Sequence, residues 1–127
     1  MSSWVLDASA LLAMLNSEPG SERVAAALAD SVMSSVNLSE VVAKFVDQGR
    51  AEAEIRSYLN ALGIVIVPFD MELAYRSGCL RSLTKSAGLS FGDRACLALA
   101  ESLNVPALTC DRSWATLSLN IQVQLIR

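Results

Sequence analysis

The 127-residue sequence contains no histidine and only three cysteines, Cys79, Cys96 and Cys110. The cysteines are odd in number and form no C-x-x-C pair, so a disulfide framework is not expected, and without histidine a zinc site lacks its usual ligands. We predict that the cysteines are small buried hydrophobic residues in a reducing compartment. Any bound metal would be a hard cation, Mg²⁺ or Mn²⁺, because the available ligands are oxygen atoms.

Long hydrophobic runs are also missing. The longest, residues 61–69, has the length of a strand and falls well short of the roughly 18 residues that cross a bilayer. Residues 1–4 lack the basic start and the long apolar stretch of a signal peptide. We therefore expect a cytoplasmic protein that does not associate with membranes. Because 53% of the residues are hydrophobic, we also expect apolar surface for a partner.

Positive charge is scarce, with ten lysines and arginines against thirteen acidic residues and a net charge of −3. This balance argues against a broad electrostatic surface for nucleic acid. It does not exclude a polyanionic substrate, because a bound metal and a few well-placed arginines can supply a local positive field. The charge of the chain therefore leaves nucleic acid open as a ligand.

Apolar segments alternate with segments of helical periodicity along the chain. The predicted strands are residues 4–6, 32–35, 64–67, 106–110 and 121–126. The predicted helices are residues 8–15, 21–29, 37–49, 51–62, 70–88, 90–103 and 113–117. Strands separated by helices require crossover connections, which produce parallel sheets. We predict a single domain over residues 1–127, with a three-layer α/β/α fold and a mostly parallel, about five-stranded central sheet.

Four acidic residues share a position in this pattern, because each lies where an apolar segment gives way to a helix: Asp7, Glu40, Asp93 and Asp111. In a parallel α/β sheet these positions meet outside the carboxyl ends of the strands, where ligands bind. Carboxylates gathered at one place repel each other unless a cation lies between them. The pattern therefore indicates a metal-dependent enzyme.

Neighbouring residues could assist these acids. Ser9 and Thr109 each lie two residues from a site acid, so their hydroxyls are candidates for hydrogen bonding to the carboxylates. Arg94 and Arg112 each directly follow a site acid and are candidates for phosphate contact. The alternative for the hydroxyls is local backbone bonding, and for the arginines a solvated ion pair.

Each acid also has a purely structural explanation. Asp7 and Asp111 could cap the helices that follow them, and Glu40 and Asp93 each lie three residues after a possible cap residue, as in a capping box. Taken one at a time, capping is the simpler interpretation. Taken together, the shared position favours a common site.

Four segments resemble the acidic motifs of the PIN-domain ribonucleases. The segment VLDASALL at residues 5–12 resembles the first motif, and NLSEV at residues 37–41 resembles the second. The segment LSFGDRACLALA at residues 89–100 resembles the third closely, and PALTCD at residues 106–111 resembles the fourth. Order, spacing and total length agree, so the resemblance covers nearly the whole chain.

The resemblance implies a parallel sheet flanked by helices, with the four acids holding one or two Mg²⁺ or Mn²⁺ ions for hydrolysis of RNA phosphodiesters. Compact relatives of this size are mostly VapC-type toxins. Those toxins are typically homodimers, and a small antitoxin holds them inactive through a segment that enters the groove near the acids. One departure leaves the number of ions open, because Arg112 follows Asp111 in a region where many relatives carry an additional acid.

In this interpretation Asp7 and Asp93 bind the metal directly, whereas Glu40 and Asp111 act through water or orient the nucleophile. The metal would activate a water and neutralise charge on the attacked phosphate. Because the chain lacks histidine, metal hydroxide or a carboxylate must act as the general base.

Other functions remain open. A nuclease of the same fold could act on DNA or on structured nucleic acid, since the motifs do not encode that choice. A non-enzymatic metal-dependent binding module is a more remote alternative, because Leu11 stands where its D-x-S-x-S motif needs a second hydroxyl. A signalling receiver domain is excluded, because Asp7 stands alone and both lysines lie on predicted helices. Phe91 and Trp114 flank the acidic motifs and are expected to pack rather than stack on bases.

Overall fold

The computed structural model describes residues 2–127, and five parallel strands form its centre. The strands are β1 (Trp4–Leu6), β2 (Ser31–Ser34), β3 (Val65–Val67), β4 (Ala107–Thr109) and β5 (Val123–Leu125). They lie in the order β3-β2-β1-β4-β5, and every neighbouring pair is parallel. The chain builds outward from β1 first on one side and then on the other. The sheet therefore has a topological switch point between β1 and β4, which is where α/β folds bind ligands.

Helices cover both faces of the sheet. The α-helices are α1 (Ala8–Leu15), α2 (Ser21–Ala27), α3 (Ser35–Asp47), α4 (Glu52–Ala61), α5 (Met71–Cys79), α6 (Arg81–Thr84) and α7 (Phe91–Leu103). Short 3₁₀ segments follow at Leu28–Asp30, Lys85–Ala87 and Arg112–Thr116. In the described part of the chain, no helix is both long enough and apolar enough to cross a bilayer.

Alternating side chains along the strands build two cores. Leu6 and Leu108 lie in the cluster formed with α1 to α4. Their neighbours Val5 and Ala107 lie in the second cluster, which contains α5, α7 and the buried ring of Trp114. This alternation is what a sheet covered on both faces requires. The predicted three-layer α/β/α fold and its five-stranded parallel sheet are confirmed.

Two predicted helix boundaries were wrong. Helix α3 begins at Ser35 with Ser34 as its N-cap, so Asn37 lies inside the first turn and Glu40 is not part of a capping box. The predicted helix over residues 70–88 is broken after α5 into α6 and a 3₁₀ turn. Gly78 weakens the helix near the break, and the Thr84 hydroxyl donates to the Leu80 carbonyl at 2.9 Å, competing with the backbone.

The segment with the strongest strand pattern in the sequence lies at the edge of the sheet. Residues 64–67 form β3 at the edge of the sheet, and Val65 is 60% exposed. The predicted burial of the three cysteines is confirmed for Cys96. It is wrong for Cys79, which lies exposed at the end of α5, and Cys110 is only partly buried. Trp114 packs in the core as predicted, whereas Phe91 is about half exposed and touches the Phe69 ring edge-on.

Candidate functional site

Asp7 lies at the switch point of the sheet, immediately after β1. Its backbone N–H donates to the carbonyl of Leu108 in β4, at 3.1 Å, which holds the two strand ends together. The side chain is 3% exposed and caps α1, because Oδ1 accepts a hydrogen bond from the Ala10 N–H at 2.8 Å. The predicted capping role of Asp7 is therefore confirmed, and it places a carboxylate inside the protein.

Two hydroxyls complete the surroundings of Asp7. Thr109 Oγ1 donates to Asp7 Oδ2 at 2.5 Å, and Ser9 Oγ lies 2.8 Å from both carboxylate oxygens. The hydrogen bond predicted for Ser9 is confirmed. Thr109 differs from the prediction, because its hydroxyl bonds to the carboxylate of Asp7. It also accepts the backbone N–H of Asp111 at 3.0 Å and lies 3.4 Å from Ser9 Oγ. The parallel pairing of β1 with β4 brings Thr109 beside Asp7, and sequence proximity alone does not reveal this.

Burial makes the negative charge of Asp7 unfavourable. The pKa of the Asp7 carboxyl is raised from 3.8 to about 6, chiefly because burial removes water from the charged form, and the charge of Asp93 adds to the shift. Hydrogen bonds from Thr109, Ala10 and Ser9 oppose the shift without cancelling it. Asp7 is therefore a carboxylate that a nearby cation would stabilise.

Glu40 is placed by contacts between α3 and α7. Asn37 Nδ2 donates to Glu40 Oε1 at 2.8 Å and to the carbonyl of Gly92 at 3.0 Å. Gly92 is buried at the start of α7, and a Cβ at this position would overlap the carboxylate of Glu40. Asn37 and Gly92 therefore hold Glu40 in place, and the sequence interpretation missed both roles. The signal was the glycine next to the acid in the segment FGD.

Gly92→Ala tests this packing. The added methyl group must displace the carboxylate of Glu40, so we expect any metal-dependent activity of this site to fall about tenfold or more. Stability should change little, because the carboxylate can move and alanine favours a helix by about 1 kcal/mol over glycine. Gly78→Ala is the matched control, since a Cβ there meets nothing within 4 Å. Equal activities of the two variants would contradict the packing role.

Asp93 and Asp111 each cap a helical segment with one oxygen. Ser90 and Asp93 form the predicted capping box, with Asp93 Oδ2 accepting the Ser90 N–H at 2.9 Å. Asp111 Oδ1 accepts both the N–H and the hydroxyl of Ser113, at 2.9 and 2.7 Å. The predicted capping roles of these two acids are confirmed. The caps occupy Oδ2 of Asp93 and Oδ1 of Asp111, so capping leaves a second oxygen on each acid for a ligand.

All four predicted acids line one cavity of about 330 Å³. The lining also includes Ser9 and a stripe of α3 that the sequence interpretation did not connect to the site: Ala43, Lys44 and Asp47. Glu40, Lys44 and Asp47 follow the i, i+4, i+7 spacing of a single helix face, which was the available signal.

The buried thiol of Cys96 lies close enough to three of the acids to be affected by their charges. The pKa of Cys96 is raised by its burial and then by the negative charges of Asp7, Asp93 and Glu40. Cys96 lies on α7 one turn after Asp93 and is fully buried. The charges of three of the four acids therefore act on the same buried thiol.

The donor chemistry of the cavity fits a hard divalent cation. Within residues 2–127, no three acidic or cysteine side chains are close enough to form a complete metal cage. Mg²⁺ does not need one, because it is usually bound through one or two carboxylates and keeps several waters. The four carboxylates around this one cavity, with Asp7 buried among them, are the observation that most favours a cation here.

Neither predicted arginine lines the cavity. Arg94 points into the protein, where its Nε and Nη1 atoms are buried without a hydrogen-bond partner among the described residues. Arg112 is exposed beside Asp111. Contact of either arginine with a substrate stays a prediction.

Comparison with known families identifies the chain from its sequence. The model of the PIN domain matches residues 4–118, which include all four acids. The chain belongs to the PIN-domain family. The resemblance carried by the four acidic motifs is therefore confirmed.

Solved PIN-like structures share the fold over the full length of the chain. A toxin–antitoxin complex from Klebsiella pneumoniae matches with a TM-score of 0.77 and 18% identity, over 98% of each chain. A DNA-bound VapBC complex from Salmonella typhimurium matches with a TM-score of 0.71 and 18% identity, over 100% of each chain. FitAcB from Neisseria gonorrhoeae matches with a TM-score of 0.66 and 21% identity, over 97% of each chain. The comparison with curated proteins gives no match.

Proposed function

We propose that this PIN-domain protein is a metal-dependent endoribonuclease and the toxin of a type II toxin–antitoxin pair. The observation that carries the proposal is the convergence of acids from four separate segments on one cavity at the switch point of the sheet. Family membership supports a nuclease. The choice of RNA and the requirement for Mg²⁺ or Mn²⁺ are our inference.

The four acids would have different roles, according to how deeply each is buried. Asp7 and Asp93 would hold the cation, and the more exposed Glu40 and Asp111 would orient its waters. A bound divalent cation supplies an activated water and neutralises charge on the attacked phosphate. Ser9 and Thr109 would fix the orientation of the Asp7 carboxylate through the hydrogen bonds described above. A carboxylate would accept the proton from the attacking water, since the chain has no histidine.

Incubation of the purified protein with total cellular RNA and Mg²⁺ or Mn²⁺ tests this function. We expect discrete fragments that disappear with EDTA and in the Asp93→Asn variant. Single-stranded and duplex DNA are assayed in parallel, because the alternative is a nuclease of the same fold that acts on DNA or structured nucleic acid. Cleavage of DNA alone would replace RNA as the proposed substrate. Fragments that persist in both controls would contradict an activity of this cavity.

An antitoxin partner is supported by the matched structures, which include a toxin–antitoxin complex and a member of the VapBC family of toxin–antitoxin systems. A second cavity of about 300 Å³ lies between α3 and α4, on another side of α3 from the acids. Its lining is largely apolar and includes Val42, Val46, Ile55 and Leu59. We propose that the antitoxin covers this groove and extends from it toward the acidic cavity.

Val46→Asp tests the groove. Val46 is 56% exposed, so the charge should leave the free energy of unfolding nearly unchanged while making burial under a partner unfavourable. We expect the variant to lose copurification with the product of a small open reading frame adjacent to its gene, and to keep its nuclease activity. Val65→Asp is the matched control, because Val65 is similarly exposed and lies on β3 outside the groove. If both variants retained the partner, the groove would be excluded as the antitoxin-binding site.

We also propose that the protein forms a homodimer in the cytoplasm. Exposed apolar side chains lie on and near α5, and Phe91 continues this surface toward the acidic cavity. Met71 and Tyr75 are 75% and 69% exposed and lie one helical turn apart. Light scattering of the purified protein is expected to give twice the chain mass, and a Tyr75→Asp variant is expected to give the mass of one chain.

A further inference from the structure

The acidic cavity contains one positively charged side chain, Lys44. Five of the other cations are held by a carboxylate or an aromatic ring: Arg23, Arg50, Arg56, Arg76 and Arg127. Arg94 is largely buried, and Arg81, Lys85 and Arg112 do not line the cavity. Of the ten cations in the chain, Lys44 is therefore the one placed to meet a ligand of this cavity.

Within the described part of the chain, Lys44 forms no direct ion pair with the acids around it. It takes part in none of the four ion pairs among the described residues, although Glu40 and Asp47 lie on the same face of α3. The side chain is exposed, so its ammonium group can reach a ligand without a change in the fold. Lys44 is therefore available to bind a negatively charged ligand that enters the cavity.

Lys44 lines the same cavity as the acids, so a strand bound at the acids would pass near it. It lies one helical turn after Glu40, about 6 Å further along the axis of α3. This is the scale of the separation between neighbouring phosphates in a single strand. A phosphate attacked at the acids would therefore place an adjacent phosphate near the ammonium group, where a cation offsets the repulsion from the acidic protein.

We propose that Lys44 binds the backbone phosphate adjacent to the phosphodiester that is cut. The inference rests on the proposed nuclease function and adds the contact that positions the strand. The lysine is a compact charge without sequence preference, so the contact strengthens binding of any single strand equally.

Binding of a fluorescein-labelled single-stranded RNA, measured by fluorescence anisotropy over a series of salt concentrations, tests the proposal. Asp93→Asn serves as the background to prevent cleavage. Lys44→Gln is expected to weaken binding about tenfold and to lower the salt dependence by about 0.7 in log Kd per log salt. Lys44→Arg should retain both values. Lys85→Gln is the matched control, because it removes the other lysine of the chain outside the cavity.

Cleavage by the active protein supplies a second measurement. Lys44→Gln should raise KM and leave kcat nearly unchanged, with no change in melting temperature. Equal binding by Lys44→Gln and Lys85→Gln, in a protein that cleaves RNA, would overturn the inference while leaving the nuclease function intact. Unchanged RNA binding together with a weakened antitoxin complex would also overturn it, and would assign Lys44 to the protein interface. If the wild-type protein neither binds nor cleaves nucleic acid, the function and this inference fail together.

Discussion

Asp93→Asn is expected to lower RNA cleavage by at least about 100-fold while leaving the melting temperature nearly unchanged. Asparagine keeps an oxygen that can accept the Ser90 N–H, so the capping box of α7 survives. The negative charge is lost, and with it one proposed ligand of the cation. Loss of an outer partner of a metal site already costs about 10- to 100-fold, and loss of a direct ligand should cost more.

Ser90→Ala is the matched control, because it removes the hydroxyl that accepts the Asp93 N–H and leaves the carboxylate in place. This variant should lose about 1 kcal/mol of stability and keep most of its activity. The opposite pattern, with Asp93→Asn less stable but fully active, would reduce Asp93 to a helix cap.

Asp7→Asn is expected to stabilise the metal-free protein by up to about 3 kcal/mol at pH 7 while abolishing cleavage. The rise in the pKa of Asp7 from 3.8 to about 6 corresponds to that free energy, because the folded state must bury a charge that the unfolded state leaves in water. Asparagine removes the charge and can keep the cap to Ala10. Its amide can donate to the hydroxyls of Thr109 and Ser9, which are able to accept.

The pH dependence of stability follows from the direction of the shift. Between about pH 4 and pH 6 the folded protein holds a proton on Asp7 that the unfolded chain releases, so the free energy of unfolding falls as the pH rises. The stabilisation by Asp7→Asn should therefore be small at pH 4 and should reach its full value above pH 6. Urea denaturation in EDTA across this range measures the difference, with Glu54→Gln on the exposed face of α4 as the control. A stability difference that does not vary with pH would show that the buried charge of Asp7 is not its cause.

Sequence reasoning located the acids because their positions follow from topology. Asp7 directly follows β1 and Asp111 lies two residues after β4, and parallel strands end at the same edge of the sheet. The capping roles of these acids are compatible with their place in a common site. The same geometry that places an acid at a helix start also aims it at the switch point, and one carboxylate oxygen suffices for the cap.

The contacts between distant segments could not be predicted from one sequence. Thr109 bonds to Asp7 because β4 lies beside β1, and Gly92 makes room for Glu40 because α7 packs against α3. The position of Lys44 near the site could have been predicted from helical periodicity, since it shares a helix face with Glu40. The break after α5 depends on tertiary burial of Leu80 and Thr84, which overrides local helix propensity.

Titration of the protein with Mn²⁺, followed by electron paramagnetic resonance, measures whether the four acids bind a divalent cation together. The wild-type protein should bind one or two ions with saturation. The variants Asp7→Asn and Asp93→Asn should lose that binding, whereas Glu54→Gln should retain it. Equal Mn²⁺ uptake by the wild-type protein and by the two cavity variants would show that the acids are helix caps without a metal site.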